Sequence, residues 1–202
     1  VEPARRPAGA APGGTAGVSV LRLHGAVVHG DVLRHTRPRL RVDALELRAG
    51  EIVAVAGVSG NGQAVLADVL CGEQALDAGT LQVQGGALPA QARAFVRAGV
   101  ARVPEDRHAV GVVGDLALWE NAVLERYGEP AFSRLGWLKR SAAAAFAQGL
   151  LQRFDVRGAE AHGVFTTTRK LSGGNMQKLI LGRALGGAER PLLIVANQPT
   201  WG

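Results

Sequence analysis

The apolar run Ile52-Val53-Ala54-Val55-Ala56 gives way to Gly57-Val58-Ser59-Gly60-Asn61-Gly62, and a breaker-free stretch from Ala64 to Leu70 follows. A continuous apolar run of strand length bounded by glycine has the pattern of a buried strand, and Ala64–Leu70 has the composition of a helix. Strand, glycine loop and helix in succession make the first unit of an α/β layered domain. Glycines in such a loop let backbone N–H groups curl around phosphate oxygens, and the start of the following helix adds its dipole. A phosphate-binding loop has two glycines five apart, then lysine, then serine or threonine. Gly57 and Gly62 keep that spacing, whereas Gln63 stands at the lysine position and Ala64 at the hydroxyl position. Gly57, Ser59, Gly60, Asn61, Gly62, Gln63 and Ala64 are therefore candidate nucleotide-binding positions. A glycine-rich structural turn fits the same residues.

The pattern continues along the chain. Leu40–Leu47 alternates apolar and polar residues, and Thr80–Val83 and Val100–Val103 are short strand-like runs. Pro89 opens a helical stretch that runs through Arg97. Leu118–Arg126, Leu138–Phe154 and Ser172–Leu185 read as helices, and Leu192–Ala196 as a last strand. Alternating strands and helices predict an α/β domain with a largely parallel sheet. Residues 105–170 read as a strandless helical insertion.

Residues 1–17, rich in Pro, Gly and Ala, read as a flexible linker, leaving 18–202 as one domain. The 202 residues, 47% hydrophobic, suffice for one core. Aromatics make up only 4% of the chain, so that core must rest on Val, Leu, Ile and Ala. The longest clearly apolar run is Leu192–Ala196, far short of the roughly 20 residues that span a bilayer; the expectation is a soluble domain. The single cysteine, Cys71, excludes an internal disulfide framework, fits a reducing compartment and reads as a small core residue. The net charge of +6 comes mostly from scattered arginines. Arg34, Arg37, Arg39 and Arg41 cluster, as solvated surface or as a contact for a phosphate or an acidic partner. No aromatic–basic interleaving points to RNA, and nucleic acid is not an expected partner. The start at Val1 rather than Met and the stop at Trp201-Gly202, just after a strand, both suggest a fragment.

Three further segments carry chemistry. Leu171-Ser172-Gly173-Gly174-Asn175-Met176-Gln177-Lys178 places a helix-capping serine and two glycines where N–H groups can meet a phosphate. Leu192-Leu193-Ile194-Val195-Ala196-Asn197-Gln198-Pro199-Thr200 is a strand ending in two neutral amides and a proline. Val103-Pro104-Glu105-Asp106-Arg107 is a strand end followed by a charged turn. Taken alone, the last two also read as an ordinary buried strand and an ordinary surface turn.

Together the four segments resemble the ATP-binding cassette (ABC) transporter family, with its phosphate-binding loop (Walker A), signature and Walker B strand in sequence order. Gly62 and Ser172 lie 110 positions apart, and Ser172 and Asn197 lie 25 apart. The Asn-Gly-Gln loop, the Pro-Glu-Asp-Arg turn and the Asn-Gln-Pro-Thr ending look most similar to the carboxy-terminal cassette of importers for simple sugars or nucleosides. The resemblance implies a P-loop NTPase-like cassette with a helical subdomain at about 105–170, truncated after the Walker B strand. It implies that Glu105 stands where a glutamine senses the γ-phosphate, and that Ser172, Gly173, Gly174 and Gln177 belong to the signature. Asn197 and Gln198 occupy the positions of the magnesium-holding aspartate and the water-polarising glutamate, so no catalytic residue is intact. ATP is the implied cofactor, weak at the chain's own loop and shared with a partner cassette; magnesium is doubtful and no metal ligand is assigned. A second cassette and a transmembrane permease are the implied partners, at the cytoplasmic face of the cell membrane. A competent ATPase that tolerates the substitutions, or a structural partner that binds no nucleotide, are the alternatives. His24 and His29 lie near the place of an adenine-stacking aromatic, since no aromatic precedes Phe95, and each reads as a surface histidine. Trp119, Phe132 and Trp137, in the segment that docks on the permease in that family, read as packing residues.

Overall fold

A computed structural model describes residues 4–7, 17–30, 39–58, 60–187 and 190–198. The chain forms two compact units, 1–100 and 101–202.

The first unit is built on a four-stranded sheet with strand order β3-β2-β5-β6. Its strands are β2 (Ser19–Val28), β3 (Leu40–Arg48), β5 (Ala78–Val83) and β6 (Gly86–Ala87). Alternation explains β2, which sequence reasoning did not identify as a strand. Leu21, Leu23, Ala26 and Val28 are buried, whereas Arg22 and His24 face solvent. Helix α1 (Gln63–Leu70) buries Val65, Leu66, Val69 and Leu70 and ends at the buried Cys71, as expected for a small core residue. Helix α2 (Ala92–Arg97) contributes the buried Phe95. Gly72, at φ +74°, must be glycine: a Cβ there would lie 2.2 Å from the Phe95 ring.

The registers of β2 with β3 and β5, of β5 with β6, and of β1 (Ala4–Pro7) with β4 (Glu51–Ala54) are antiparallel, and the α/β class stands. Sequential strands such as β2 and β3, with only residues 29–39 between them in sequence, pair antiparallel. One expectation needs correction: the run at 52–56 is not a buried strand, since Ile52 is 64% exposed and β4 has β1 as its ladder partner among the described strands. Residues 4–7, expected within a flexible linker, are thus the strand that occupies an edge of β4.

Glu46, on β3, gathers Ser19, Arg48 and Arg22; these hydrogen bonds, the Ser19 hydroxyl foremost, bring its pKa down to about 2. A depressed carboxyl contributes stability that is complete above its unfolded value of 4.5 and is lost as pH falls toward 2. The Glu46→Gln variant should therefore unfold at lower urea than the parent at pH 6, and the two should converge at pH 2. Parallel curves across that window would count against the assignment.

In the second unit, a strand pair joins β7 (Val100–Val103), in which the boundary falls, to β10 (Leu193–Ala196). Helices α3 (Leu118–Val123), α4 (Arg140–Arg153) and α5 (Gly173–Leu185) pack on one another. Their core is aliphatic, from Leu118 and Val123 through Leu150 to Met176, Leu179 and Ile180, with Trp119 and Phe132 inside it. The insertion expected to lack strands carries a small hairpin, β8 (Ser133–Arg134) and β9 (Trp137–Leu138). The cause is the tight turn at Leu135-Gly136, which stops the expected helix from starting at Leu138. Asn121 is fully buried within this core. Its amide accepts from the Val113 N–H (2.9 Å) and donates to the Val113 carbonyl (2.9 Å) and to Thr168 Oγ1 (2.8 Å). Thr168 passes its own proton to the Leu116 carbonyl (2.8 Å). A buried amide satisfied in this way fixes which residues of 113–121 and 168 meet.

Candidate functional site

The loop after β4 lies in the first unit. Gly60 and Gly62 adopt φ +88° and +94°, conformations that favour glycine. A Cβ on Gly62 would lie 2.6 Å from the Arg39 carbonyl oxygen, while Gly60 faces open space. Gly62 caps α1, and its carbonyl accepts from the Leu66 N–H (2.8 Å). Gln63 Nε2 folds back and donates to the Val58 carbonyl (3.1 Å), and the Asn61 N–H reaches the same carbonyl (3.2 Å). The residue at the lysine position thus braces the loop. Gly57, Asn61 and Ala64 are exposed, and Ser59 lies outside the described residues.

The second unit holds the other candidates. Asn197, after β10, donates its backbone N–H to the Val103 carbonyl (2.9 Å) and its side-chain amide to Glu105 Oε2 (3.3 Å). The end of the last strand and the charged turn after β7 therefore meet, and the carboxylate there comes from the turn. Gln198 follows at φ +45°, and Pro199 and Thr200 lie outside the described residues. The turn is more than solvated surface. Asp106 caps a π-helical turn, Arg107–Gly111, by accepting from the N–H groups of Ala109 (2.8 Å) and His108 (2.9 Å), which hold its carboxyl below the usual range. Gly111 sits so close to α5 that a Cβ would meet Ile180 Cδ1 at 2.5 Å.

Ser172 caps α5, its hydroxyl accepting from the Asn175 N–H (3.4 Å) and side-chain amide (3.0 Å). Asn175 in turn accepts from the Arg157 N–H (2.9 Å). Ser172 and Gly174 are exposed, nothing stands within 4 Å of a Cβ built on Gly174, and Gln177 follows one turn on, half-buried. The first N–H groups of a helix have no partner inside it, so this end offers donors and a positive dipole to an anion. A Cβ on Gly173 would lie 3.4 Å from Arg107 Cζ, so the guanidinium rests against the first residue of the helix.

A family model described as ABC transporter matches residues 40–200. The chain belongs to the ABC transporter family. It is 46% identical over 160 residues to the glucose import ATP-binding protein TsgD13 of Haloferax volcanii, covering 78% of this chain and 28% of that one. It is 36% identical over 189 residues to the guanosine import ATP-binding protein NupO of Bacillus subtilis, covering 92% and 35%. The cassette thus spans about a third of the length of these relatives. Its fold matches a dimeric ATP-binding cassette in a post-hydrolysis state with ADP and Pi, at TM-score 0.71 and 19% identity over 90% of this chain and 75% of that one. A nucleotide-free cassette matches at TM-score 0.67 and 20% identity, over 92% and 71%. The chain has the ATP-binding cassette fold.

Hard cations take carboxylate and hydroxyl oxygens. In the second unit the strand end offers the amides of Asn197 and Gln198, and Glu105 is already bonded by Asn197. In the first unit Ala64 brings no side-chain oxygen to the helix start. Neither set of residues suits magnesium. Two contacts escaped the sequence reading. Arg107 and Gly173 are 66 positions apart with no pattern linking them, whereas Asn121 left a trace as a lone amide in the apolar face of α3. Of the other candidates, His24 and His29 are exposed, and the His29 N–H donates to Asp77 (2.7 Å). Arg39 is exposed and Arg41 pairs with Asp43 (3.4 Å), while Arg34 and Arg37 lie outside the described residues. Trp119 and Phe132 pack as expected, but Trp137, at the end of a short hairpin, is 81% exposed.

Proposed function

We propose that this cassette is the nucleotide-binding part of an importer for simple sugars or nucleosides, and that it completes a partner cassette's ATP site through its signature. On this reading residues 18–202 are the cassette and about 105–170 its helical subdomain. The cassette works at the cytoplasmic face of a membrane, beside a second cassette and a transmembrane permease. Relatives named for glucose and guanosine import support the substrate class. The observation that carries the division of labour is the contrast between the two phosphate-facing ends. The signature helix begins at an exposed, serine-capped, glycine-lined turn, whereas the loop's Gln63 is bonded to Val58 and the strand end carries amides. The loop positions Gly57, Ser59, Gly60, Asn61, Gly62, Gln63 and Ala64 hold ATP weakly, Glu105 takes the position of the family's γ-phosphate-sensing glutamine, and Ser172, Gly173, Gly174 and Gln177 face the partner's nucleotide.

A fluorescent ATP analogue should bind the chain weakly, with little change when magnesium is added. A charge-assisted hydrogen bond is worth about 1.5–3 kcal/mol, so Gln63→Lys should tighten that binding roughly 10- to 100-fold. Tight, magnesium-dependent binding by the parent chain would show that the missing lysine and hydroxyl are compensated and would favour the competent-ATPase reading, which turnover then tests. No binding by the parent or by Gln63→Lys would leave a purely structural partner.

A further inference from the structure

The β8–β9 hairpin presents an apolar tip that the core does not explain. Ser133 pairs with Leu138 and Arg134 with Trp137, leaving a two-residue loop, Leu135-Gly136. Both loop residues have positive φ, +50° at Leu135 and +82° at Gly136. A two-residue turn of this kind favours Asn, Asp or Gly, and a bulky apolar residue with positive φ is an outlier. Leu135 is nonetheless there, 91% exposed, beside Trp137 at 81%. Strain of this kind persists where the surroundings impose it, and it clusters at functional places.

The base of the hairpin is well fixed. Phe132 is buried and packs edge-on against Phe146 at 5.2 Å, with the Arg126 guanidinium over both rings. The Lys139 N–H donates to the Phe132 carbonyl (2.7 Å) and its ammonium to the Pro130 carbonyl (2.8 Å). Arg134, Lys139 and Arg140 flank the tip in sequence and are exposed, Arg140 with its guanidinium over the Trp119 ring at 5.5 Å, and no acidic residue occurs from Pro130 to Phe154. The hairpin therefore carries an exposed Leu and Trp in a stretch whose charges are all positive. A protein interface needs about 800 Å² per partner, far more than two side chains supply. A bilayer surface accepts a small wedge: Trp prefers the headgroup level, Leu the acyl boundary, and cations the anionic lipid.

We propose that residues 134–140 dock on an anionic lipid surface, with Leu135 and Trp137 entering the headgroup layer. The proposal is independent of the signature's role. The chain is sedimented with vesicles of phosphatidylglycerol and phosphatidylcholine, or of phosphatidylcholine alone, while tryptophan emission is recorded. It should pellet with the anionic vesicles about tenfold more than with neutral ones and release as salt rises, because the attraction is screened. Emission should shift to the blue, and a Trp137→Phe variant should lose that shift. The Leu135→Asn/Trp137→Ser variant should lose about tenfold in vesicle binding. Its melting temperature should hold or rise, since Asn tolerates the positive φ better than Leu. A parent chain that stays in solution with anionic vesicles overturns the proposal. So does a double variant that binds as well as the parent, which would leave only the general attraction of a +6 chain. Capture by a permease in detergent without any vesicle binding would likewise assign the tip to a protein.

Discussion

Replacing Ser172 with aspartate should abolish ATP turnover by the assembled transporter while leaving this chain folded. Ser172 has two duties that the substitution separates. Its hydroxyl caps α5 by accepting from Asn175, and aspartate caps as well as serine and suits the helix dipole. In the proposed role, Ser172 and the N–H groups of Gly173 and Gly174 also meet the partner's γ-phosphate, where a carboxylate brings repulsion. Loss of one preorganised donor from an anion site costs roughly 10²–10³ in rate, and an added negative charge should cost at least that. Ser172→Ala should behave differently, with a smaller loss of turnover and about 1 kcal/mol less helix stability. Steady-state hydrolysis and thermal melting, measured on both variants, give the comparison. Turnover within twofold of the parent for Ser172→Asp would end the idea that this signature completes an ATP site.

The largest effect on stability should come from Asn121. In Asn121→Leu the shape is nearly kept, but the Val113 N–H, the Val113 carbonyl and the Thr168 hydroxyl all lose the partner described above. Of these, only the Val113 N–H is left without a partner, because the Val113 carbonyl still accepts from the Leu116 N–H (3.1 Å) and Thr168 still donates to the Leu116 carbonyl. One buried orphan costs about 1–3 kcal/mol. For a unit of about 100 residues, 1 kcal/mol moves Tm by about 4–8 °C, which puts the fall at about 4 °C or more. Thr168→Val should cost less, because the Asn121 amide keeps both bonds to Val113. A melt of Asn121→Leu within 4 °C of the parent would show that the network contributes little.

The sequence displayed the motifs more clearly than the surroundings that use them. Strands and helices with strong periodicity lie where expected: Val100–Val103 matches fully, and α1, α5 and β10 match to within a residue at each end. The hairpin at 133–138 was missed because Leu at a positive-φ position is the wrong turn chemistry, so nothing announced the turn. Burial was misjudged at Ile52 for a different reason. An apolar run specifies a strand, but what covers its faces is decided by chain far away in sequence. The Arg107 contact with Gly173 was illegible on the same ground, since it depends on how a π-helical turn seats against α5. Gln63, Ala64, Asn197 and Gln198 were plain in the sequence as departures from the motifs it resembles. The structure added what two of them do: Gln63 ties down the loop and Asn197 ties down Glu105.

Two glycines set how the charged turn and the signature helix respond to force. Gly111 lets the turn's backbone press on Ile180, and Gly173 lets Arg107 lie flat on the helix's first residue. With no side chain on the glycine at either point, only the Ile180 and Arg107 side chains lie between the parts, and close-packed interiors transmit strain. A displacement of residues 105–111 should therefore be felt by α5, as between meshed teeth. The turn and the signature form one gear, and any alanine in its teeth would introduce backlash.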